Sequence, residues 1–342
     1  MKQNVLGKTG LRVSALSFGA SSLGGVFHPV AEADAIGAVH AALDCGINYF
    51  DVAPAYAATS AEVLLGQALK GVARDCYYLS TKVGKSTRPG GYGADIFDFS
   101  RAAIRASLDA SAARLGTDFF DIVHLHDIEY QGRRHTERAL SEGLAALHEL
   151  KAEGRIGVVS VGTYPLDLWH RIFNESEVDV ALIHNHYCLN DTGLLGLLPQ
   201  AADRKIGIIN GSPFACGLLT DRGPAAWHPA TPAERRVMRE AAEFCRLHGV
   251  SIGKLALQFA SQNPAVPTTL FSSSRAAVVR LNVAWHEEPY DPDLLAAVQA
   301  VLAPLMSKPW DFAAAGSINV IPPSLSDVSA GNPAQNINRT QV

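Results

Sequence analysis

Eight short apolar runs, separated by segments with helical spacing, place the strongest constraint on how this chain can fold. The runs occupy residues 15–18, 48–51, 76–81, 119–125, 157–161, 180–184, 206–209 and 268–271. Between them, apolar residues recur at the three- and four-residue spacing of amphipathic helices. Two of these helical segments end at Gly46 and Gly154, and glycine is common just after a helix because it accepts positive φ. Strands that alternate with helices predict a parallel α/β sheet.

Such a sheet can stay open or close into a barrel. An open, doubly wound sheet that binds a dinucleotide usually carries Gly-x-Gly-x-x-Gly after its first strand, and no such sequence follows residues 15–18. A chain of 342 residues without an internal change of composition suits one large barrel. We therefore predict a single (β/α)8 TIM barrel over residues 1–315, with an N-terminal β-hairpin around residues 8–10. Residues 316–342, rich in Ser, Asn and Pro, are expected to form an irregular C-terminal tail.

The composition excludes several classes of partner. Charged residues make up 18% of the chain and the net charge is −4, which gives no reason to expect nucleic acid or an anionic membrane. No run of 18 apolar residues occurs, and the first residues lack the apolar core of a signal peptide. The five cysteines are scattered, with no Cys-x-x-Cys pair, as is typical of reduced thiols. We expect a cytoplasmic enzyme for a small molecule, acting as a monomer or weak homo-oligomer.

Four polar side chains lie at or just beyond the ends of three predicted strands: Asp51, Tyr56, Lys82 and His126. In a parallel barrel these ends meet at one face, which is where catalytic residues lie. A tyrosine with the ordinary pKa of about 10 is a poor acid or base at neutral pH. A nearby ammonium favours the phenolate, a carboxylate keeps that ammonium charged, and an imidazole can hydrogen-bond a substrate oxygen. These four residues together predict a site that exchanges a proton with a carbonyl or alcohol oxygen, while a hydride is transferred in a separate part of the reaction.

The chain resembles the aldo-keto reductases over roughly residues 4–304. The resemblance rests on residues 6–14, 18–20, 48–56, 81–82, 118–126, 154–156, 212–213, 217–220 and 254–258. Each piece alone is unspecific, but the combination is specific. The family's tetrad of Asp, Tyr, Lys and His falls on the four residues named above. The family binds a nicotinamide cofactor on a barrel without a Rossmann fingerprint, so the resemblance implies NAD or NADP here, with NAD favoured.

The resemblance also implies that the loops after the barrel strands hold this cofactor. The expected contacts are Gly19, Ala20, Thr163, His184, Ser212, Phe214, Gly217, Leu219, Ser272, Ser274, Arg275 and Asn282. Two positions depart from the family. Gly162-Thr163 replaces the Ser-Asn pair that holds the nicotinamide carboxamide, so Thr163 is expected to take over, and Gly211 replaces a stacking aromatic residue. Arg275 either meets a 2′-phosphate through its guanidinium or is a surface arginine that opens a helix.

Within the family, several loops are similar to the branch that oxidises C1 of free aldoses, such as L-galactose, L-fucose or D-arabinose, to aldonolactones. The most distinctive is residues 223–230 within the long, Gly- and Pro-rich segment 211–232. Long loops in compact domains are usually functional, so we expect this loop to recognise the sugar. The candidate substrate residues are Phe27, Asp127, His186, Tyr187, Trp227 and His228. Trp227 could instead simply fasten its loop to the barrel.

Three other functions are also compatible with parts of the sequence. The same tetrad serves a general NADPH-dependent aldehyde or ketone reductase working in the opposite direction. A metal-dependent hydrolase could use His124, His126, His184 and His186, but residues 18–21 offer no metal ligand after the first barrel strand, so we expect no metal. Some relatives of this fold are redox-reading subunits without catalysis, and the presence of all four tetrad residue types argues against that role here.

Overall fold

Eight parallel strands close into a barrel, as the alternating pattern predicts. The computed structural model describes residues 1–26, 29–87, 95–224 and 228–310. Its strands are β1 (Gln3–Val5), β2 (Arg12–Ser14), β3 (Leu16–Gly19), β4 (Tyr49–Asp51), β5 (Tyr78–Val83), β6 (Lys85–Thr87), β7 (Asp95–Phe97), β8 (Phe120–His126), β9 (Ile156–Thr163), β10 (Val180–His184), β11 (Gly207–Gly211) and β12 (Thr268–Phe271). The barrel runs β3-β4-β5-β8-β9-β10-β11-β12 and back to β3. Every predicted barrel strand is confirmed, with its ends within two residues of the expected ones.

Helices cover the outside of the barrel. They are α1 (Glu32–Asp44), α2 (Ser60–Leu69), α3 (Arg101–Leu115), α4 (Tyr130–Arg133), α5 (Thr136–Arg138), α6 (Leu144–Ala152), α7 (Leu166–Glu175), α8 (Leu198–Asp203), α9 (Pro232–Leu247), α10 (Ile252–Ser261), α11 (Ala276–Glu287) and α12 (Pro292–Val301). No helix within the described ranges has both the length and the apolar character that crossing a membrane requires. Gly46 and Gly154 follow α1 and α6 with φ of 77° and 74°, as expected for helix ends.

Several elements go beyond the prediction of one helix after each strand. β11 is followed by both α9 and α10, and β12 by both α11 and α12. The hairpin β6–β7 directly follows β5 and pairs antiparallel outside the barrel. The long loop after β11 ends where Thr231 caps α9 in a reciprocal capping box with Glu234. The expected C-terminal tail, together with residues 311–315, lies outside the described residues.

The N-terminal hairpin β1–β2 closes the bottom of the barrel. Leu6 and Val13 join the interior apolar cluster with Tyr49, Ile122 and Val180. The contact is close, because a Cβ on Gly7 would lie 2.3 Å from the backbone nitrogen of Gly207. A larger apolar cluster fills the space between the strands and the helices. One end of the barrel is thus plugged, which leaves the opposite end, at the carboxyl ends of the strands, available for a pocket in the barrel.

Gly84 links β5 to β6, and we expect its replacement by alanine to destabilise the fold. Its φ is 89°, and an added Cβ would lie 2.2 Å from Cε1 of the buried Phe99 ring. Strained backbone and overpacking together should lower the free energy of unfolding by about 2 kcal/mol or more. Urea denaturation of Gly84→Ala measures this loss. Gly71→Ala is the matched control, because Gly71 has a φ of 86° with no heavy atom within 4 Å of an added Cβ. Equal losses in the two variants would contradict the packing argument.

Candidate active site

The strand register brings Asp51, Tyr56, Lys82 and His126 to one end of the barrel. Asp51 ends β4, His126 ends β8, and Lys82 on the intervening β5 pairs with His124 of β8. Tyr56 lies in the loop after β4. All four side chains line one cavity of about 830 Å³ at the carboxyl ends of the strands. The structure therefore unites the four residues that the sequence placed at strand ends.

Lys82 and Asp51 form a buried ion pair at the base of this cavity. The two residues are 2% and 3% exposed, and Lys82 Nζ donates to Asp51 and also to the Val52 carbonyl at 3.1 Å. Burial opposes ionisation of Asp51, but the Lys82 ammonium and His124 outweigh it, so the pKa of this carboxyl lies well below its usual range. The carboxylate is thus charged at neutral pH and holds the lysine in place.

A polar network inside the barrel holds Asp51 from behind. Ser80 Oγ donates to Asp51 Oδ1 at 2.6 Å and contacts the Tyr49 hydroxyl at 2.9 Å. His124 Nε2 lies 3.5 Å from the same Asp51 oxygen, and its Nδ1 lies 2.7 Å from Ser160 Oγ. Burial lowers the pKa of His124, so this imidazole is neutral at neutral pH. His124 is therefore a partner of Asp51 in the barrel interior and does not line the cavity.

Tyr56 lies between the lysine and His126. Lys82 Nζ is 5.1 Å from the centre of the Tyr56 ring, and the His126 ring meets it edge-on with a centroid distance of 5.8 Å. The next three residues, Ala57 to Thr59, all have positive φ, an unusual turn that leads into α2. Gly24 permits this arrangement, because a Cβ there would lie 2.4 Å from the Cβ of Ala57. The phenol is thus held next to a cation and an imidazole.

His126 has a charged neighbourhood of its own. Its Nε2 lies 3.6 Å from Asp127 Oδ2, which also accepts a hydrogen bond from Lys85 Nζ at 2.8 Å. Burial lowers the pKa of His126 to about 3, with Lys85 and Lys82 acting in the same direction and Asp127 against it. The imidazole is therefore neutral at neutral pH and can donate only one hydrogen bond. Sequence reasoning missed Lys85, which lies three residues after Lys82 on the short strand β6.

The cavity continues from the tetrad to the start of α11. Nine of the twelve expected cofactor residues line it: Gly19, His184, Ser212, Phe214, Gly217, Ser272, Ser274, Arg275 and Asn282. The first-turn N–H groups of α11 and the Arg275 guanidinium suit phosphate groups. Gly211 also lines the cavity, and a Cβ there would lie 3.1 Å from the Cβ of His184, so a larger residue would require His184 to shift. The phosphate-binding groups at this end of the cavity are of the kind that a dinucleotide cofactor needs.

Comparison with known proteins agrees with this geometry. The sequence profile of the Aldo/keto reductase family matches residues 15–303. The chain belongs to the aldo-keto reductases. It is an oxidoreductase of that family, whose members use NAD(P) as hydride carrier. The resemblance given above is thereby confirmed.

Named relatives of this aldo-keto reductase include sugar dehydrogenases. It is 40% identical over 314 residues to the L-galactose dehydrogenase of Arabidopsis thaliana. The alignment covers 89% of this chain and 95% of the relative. It is 32% identical over 297 residues to a D-threo-aldose 1-dehydrogenase of a Pseudomonas species, over 80% and 89% of the two chains. Among solved structures, it is similar to the holo form of an aldo-keto reductase from Bacillus halodurans, with a TM-score of 0.74 and 26% identity over 92% and 99% of the chains.

In this aldo-keto reductase, Thr163 does not line the cavity. Its fully buried hydroxyl donates to Glu129 Oε2 at 2.5 Å, and the Tyr164 N–H donates to Glu129 Oε1 at 3.1 Å. At the end of the adjacent strand, Asn185 lines the cavity beside His184, with a φ of 61°. Asn185 is thus better placed than Thr163 to meet a carboxamide, and sequence reasoning missed it. Two further expected contacts, Ala20 and Leu219, are fully buried in the core clusters.

Of the expected substrate residues, Asp127 lines the cavity and three others pack elsewhere. His186 contacts Asp191 at 3.1 Å and stacks on Tyr164, and Tyr187 stacks on Phe259 while its hydroxyl accepts from Asn263. His228 packs edge-on against Trp310, and its Nδ1 accepts the Ala230 N–H. These three side chains support the loops around the mouth. Phe27 and Trp227 lie outside the described residues.

One group of possible metal ligands lies in the described part of the enzyme. Asp127, Glu129 and His184 bring ligand atoms within 4.8 Å of one another. Asp127, however, already accepts from Lys85, and Glu129 from Thr163 and Tyr164. Burial, together with Asp127, raises the pKa of Glu129 to about 7, so this carboxyl holds a proton in part of the molecules at neutral pH. A divalent cation would have to displace a lysine and a proton, so the arrangement favours hydrogen bonding.

Proposed function

We propose that this enzyme oxidises C1 of a free aldose of the L-galactose or L-fucose type to the aldonolactone, with NAD(P)+ as hydride acceptor. The observation that carries the proposal is the buried Lys82–Asp51 pair against the Tyr56 ring, with His126 across the same cavity. The similarity to an L-galactose dehydrogenase over most of both chains supports the substrate class.

The residues divide the work as follows. Tyr56 removes the proton of the anomeric hydroxyl, because the Lys82 ammonium favours its phenolate form. Asp51 binds the Lys82 ammonium and fixes it in place, and neutral His126 donates a hydrogen bond that orients the reacting oxygen. A nicotinamide cofactor held by the residues that line the cavity toward α11 would supply the acceptor for the hydride of C1. Asp127 and Lys85, which line the same cavity and contact each other at 2.8 Å, are charged groups that could bind other hydroxyls of the sugar.

Either NAD or NADP is compatible with the adenosine end of the cavity. Arg275, at the start of α11, suits a 2′-phosphate, whereas Ser272 is partly engaged, since its hydroxyl accepts the Ser22 N–H at 2.9 Å. Asn282 and Ser274 offer neutral groups to a ribose. We favour NAD on the family resemblance.

Initial rates for a panel of aldoses test this function. We expect the highest kcat/KM with L-galactose or L-fucose and NAD+, a lower value for the D-enantiomers, and release of the lactone. The control reaction is reduction of simple aldehydes with NADH and NADPH in the same buffer. If every aldose fails while simple aldehydes and NADPH turn over well, the enzyme is a general aldehyde reductase and the dehydrogenase proposal is wrong.

A further inference from the structure

A second buried cation–carboxylate pair, Lys85 and Asp127, lines the active-site cavity. The two residues are 9% and 8% exposed, and neither belongs to the tetrad. Lys85 comes from β6 and Asp127 from the residue after β8, so two separate elements place the pair beside His126. Burying two charges is costly, and a pair of this kind at a cavity wall is a candidate for a role in the chemistry.

The geometry ties this pair to one nitrogen of His126. A single oxygen, Asp127 Oδ2, accepts from Lys85 Nζ at 2.8 Å and lies 3.6 Å from His126 Nε2. His126 Nδ1 is buried and has no hydrogen-bond partner within the described ranges. Of the two ring nitrogens, Nε2 is therefore the one that lies near a carboxylate of the described residues.

The backbone of Asp127 is held in an uncommon conformation to achieve this. Its φ is 51°, in the left-handed region, and its N–H donates to the Gly162 carbonyl of β9 at 2.8 Å. Asp is among the residues that tolerate this region best. Lys85 is fixed by more than Asp127, since Asp95 Oδ2 lies 3.1 Å from its Nζ and the Tyr130 ring centre lies at 4.3 Å. The carboxylate is therefore directed at His126 by rigid surroundings.

We propose that Asp127 is a positioning residue that keeps the proton of neutral His126 on Nε2, the nitrogen that must donate to the reacting oxygen, and that Lys85 holds the Asp127 carboxylate in place and offsets its charge. The proposal rests on the function proposed above. A neutral imidazole carries one N–H, and its neighbours decide which nitrogen holds it. The carboxylate stabilises N–H at Nε2, whereas nothing in the described surroundings stabilises it at Nδ1. The Lys85 ammonium offsets the negative charge of Asp127. The proton of the imidazole is therefore fixed on one nitrogen while the ring stays neutral.

The charges facing His126 support this division of roles. The carboxylates of Asp127 and Asp51 favour a second proton on His126. The ammonium groups of Lys85 and Lys82 disfavour it. His184 and Glu129 lie on the other side of Asp127. Asp95 on β7 binds Lys85 within the hairpin, whereas Asp127 binds it from the end of barrel strand β8, so the variants below have to distinguish anchoring of the hairpin from an effect on His126.

Nitrogen NMR of the histidine rings tests the proposal on the full-length protein without substrate. Spectra of protein labelled with ¹⁵N in its imidazoles distinguish the two tautomers, and a His126→Gln variant assigns the His126 signals. Wild type should show protonated Nε2 and unprotonated Nδ1. Asp127→Asn keeps the size of the side chain but can present an amide N–H to Nε2, so its His126 proton should move to Nδ1. For aldose oxidation, kcat should then fall by about 10²-fold or more, with a smaller change in KM.

Two further variants separate this role from a purely structural one. Lys85→Met should let His126 gain a proton at higher pH than in wild type, visible as a shift of its titration, and Lys85→Arg should restore the wild-type titration. Asp98→Asn is the control, since Asp98 is an exposed residue just after β7 whose carboxylate accepts the Ser100 N–H at 2.9 Å and lies 3.7 Å from Arg138, and it should leave tautomer and rate unchanged.

The proposal is overturned if wild-type His126 carries its proton on Nδ1, or if Asp127→Asn folds and retains the Nε2–H signal even with reduced activity. In the latter case Asp127 acts through the substrate alone. If Asp127→Asn does not fold, the proposal is judged by the other two results. It is then overturned if the wild-type spectrum lacks the Nε2–H signal or if Lys85→Met leaves the His126 titration unchanged. Because the spectra need no substrate, failure of aldose oxidation leaves this test intact and is recognised separately.

Discussion

Replacing Tyr56 with phenylalanine should lower kcat for aldose oxidation by about 10²–10⁴-fold, the usual contribution of a positioned general acid or base. The change removes one oxygen atom and keeps the ring that meets His126 edge-on at 5.8 Å. Binding of the dinucleotide should be retained, because the expected cofactor contacts lie on other loops. Steady-state rates with saturating NAD+ and aldose, together with fluorescence titration of NADH, measure the two effects separately.

Tyr78→Phe provides the matched control for Tyr56→Phe. The Tyr78 hydroxyl accepts a hydrogen bond from the Arg12 N–H, at the plugged end of the barrel. The same atom is thereby removed far from the cavity, and we expect activity within about twofold of wild type, since substitutions away from a site rarely change its chemistry. Full turnover by Tyr56→Phe would remove the tyrosine from its proposed role and leave the tetrad without a proton acceptor.

The sequence alone predicted the barrel and the tetrad because both depend on local patterns. Strand ends follow from where each apolar run stops, and in a parallel barrel the carboxyl ends of all strands lie at one face. Asp51, Lys82 and His126 each end or nearly end a strand, so their meeting needs only the topology. Gly46 and Gly154 marked helix ends for an equally local reason.

The side chains after the strand ends could not be predicted in this way. His184 and His186 are two residues apart, which in a strand would place them on the same face. Asn185 between them has a φ of 61°, so the strand ends and His186 turns to Asp191 and Tyr164 instead of the cavity. Thr163 is drawn to Glu129, a residue 34 positions earlier, and no local signal records such a contact. The β6–β7 hairpin that supplies Lys85 has strands of only three residues, too short for a periodic pattern.

Replacing Lys82 with methionine should abolish activity and also destabilise the protein by about 3–5 kcal/mol at pH 7, the usual effect of removing one partner from a buried pair. The variant leaves Asp51, which is 3% exposed, without the ammonium that offsets its burial. Urea denaturation at pH 7 measures the loss. Lys151→Met is the control, because Lys151 is 39% exposed and pairs with Asp179 on the outside of the barrel. Surface pairs of that kind contribute about 0–1 kcal/mol.

The pH dependence of this destabilisation has a definite sign. In wild type the pKa of Asp51 is depressed, so its contribution is present above the unfolded value of about 3.9 and is lost as pH falls toward the lower folded value. Without Lys82, burial dominates and raises the pKa of Asp51 in the folded state. Stability of Lys82→Met should therefore be closest to that of wild type in acid and should fall as pH rises above about 4. A deficit that is constant between pH 4 and pH 7 would contradict this account.

The double variant Asp51→Asn/Lys82→Met separates stability from catalysis. It removes both charges at once, so no uncompensated carboxylate is left in the barrel, and an amide can still accept the hydrogen bond from Ser80 Oγ. We expect it to recover most of the stability that Lys82→Met loses and its pH profile to flatten. Activity should not recover, because Tyr56 still lacks the cation 5.1 Å from its ring. A double variant as unstable as Lys82→Met would mean that the loss comes from lysine packing, whereas recovery of both stability and turnover would mean that the ion pair serves only the fold.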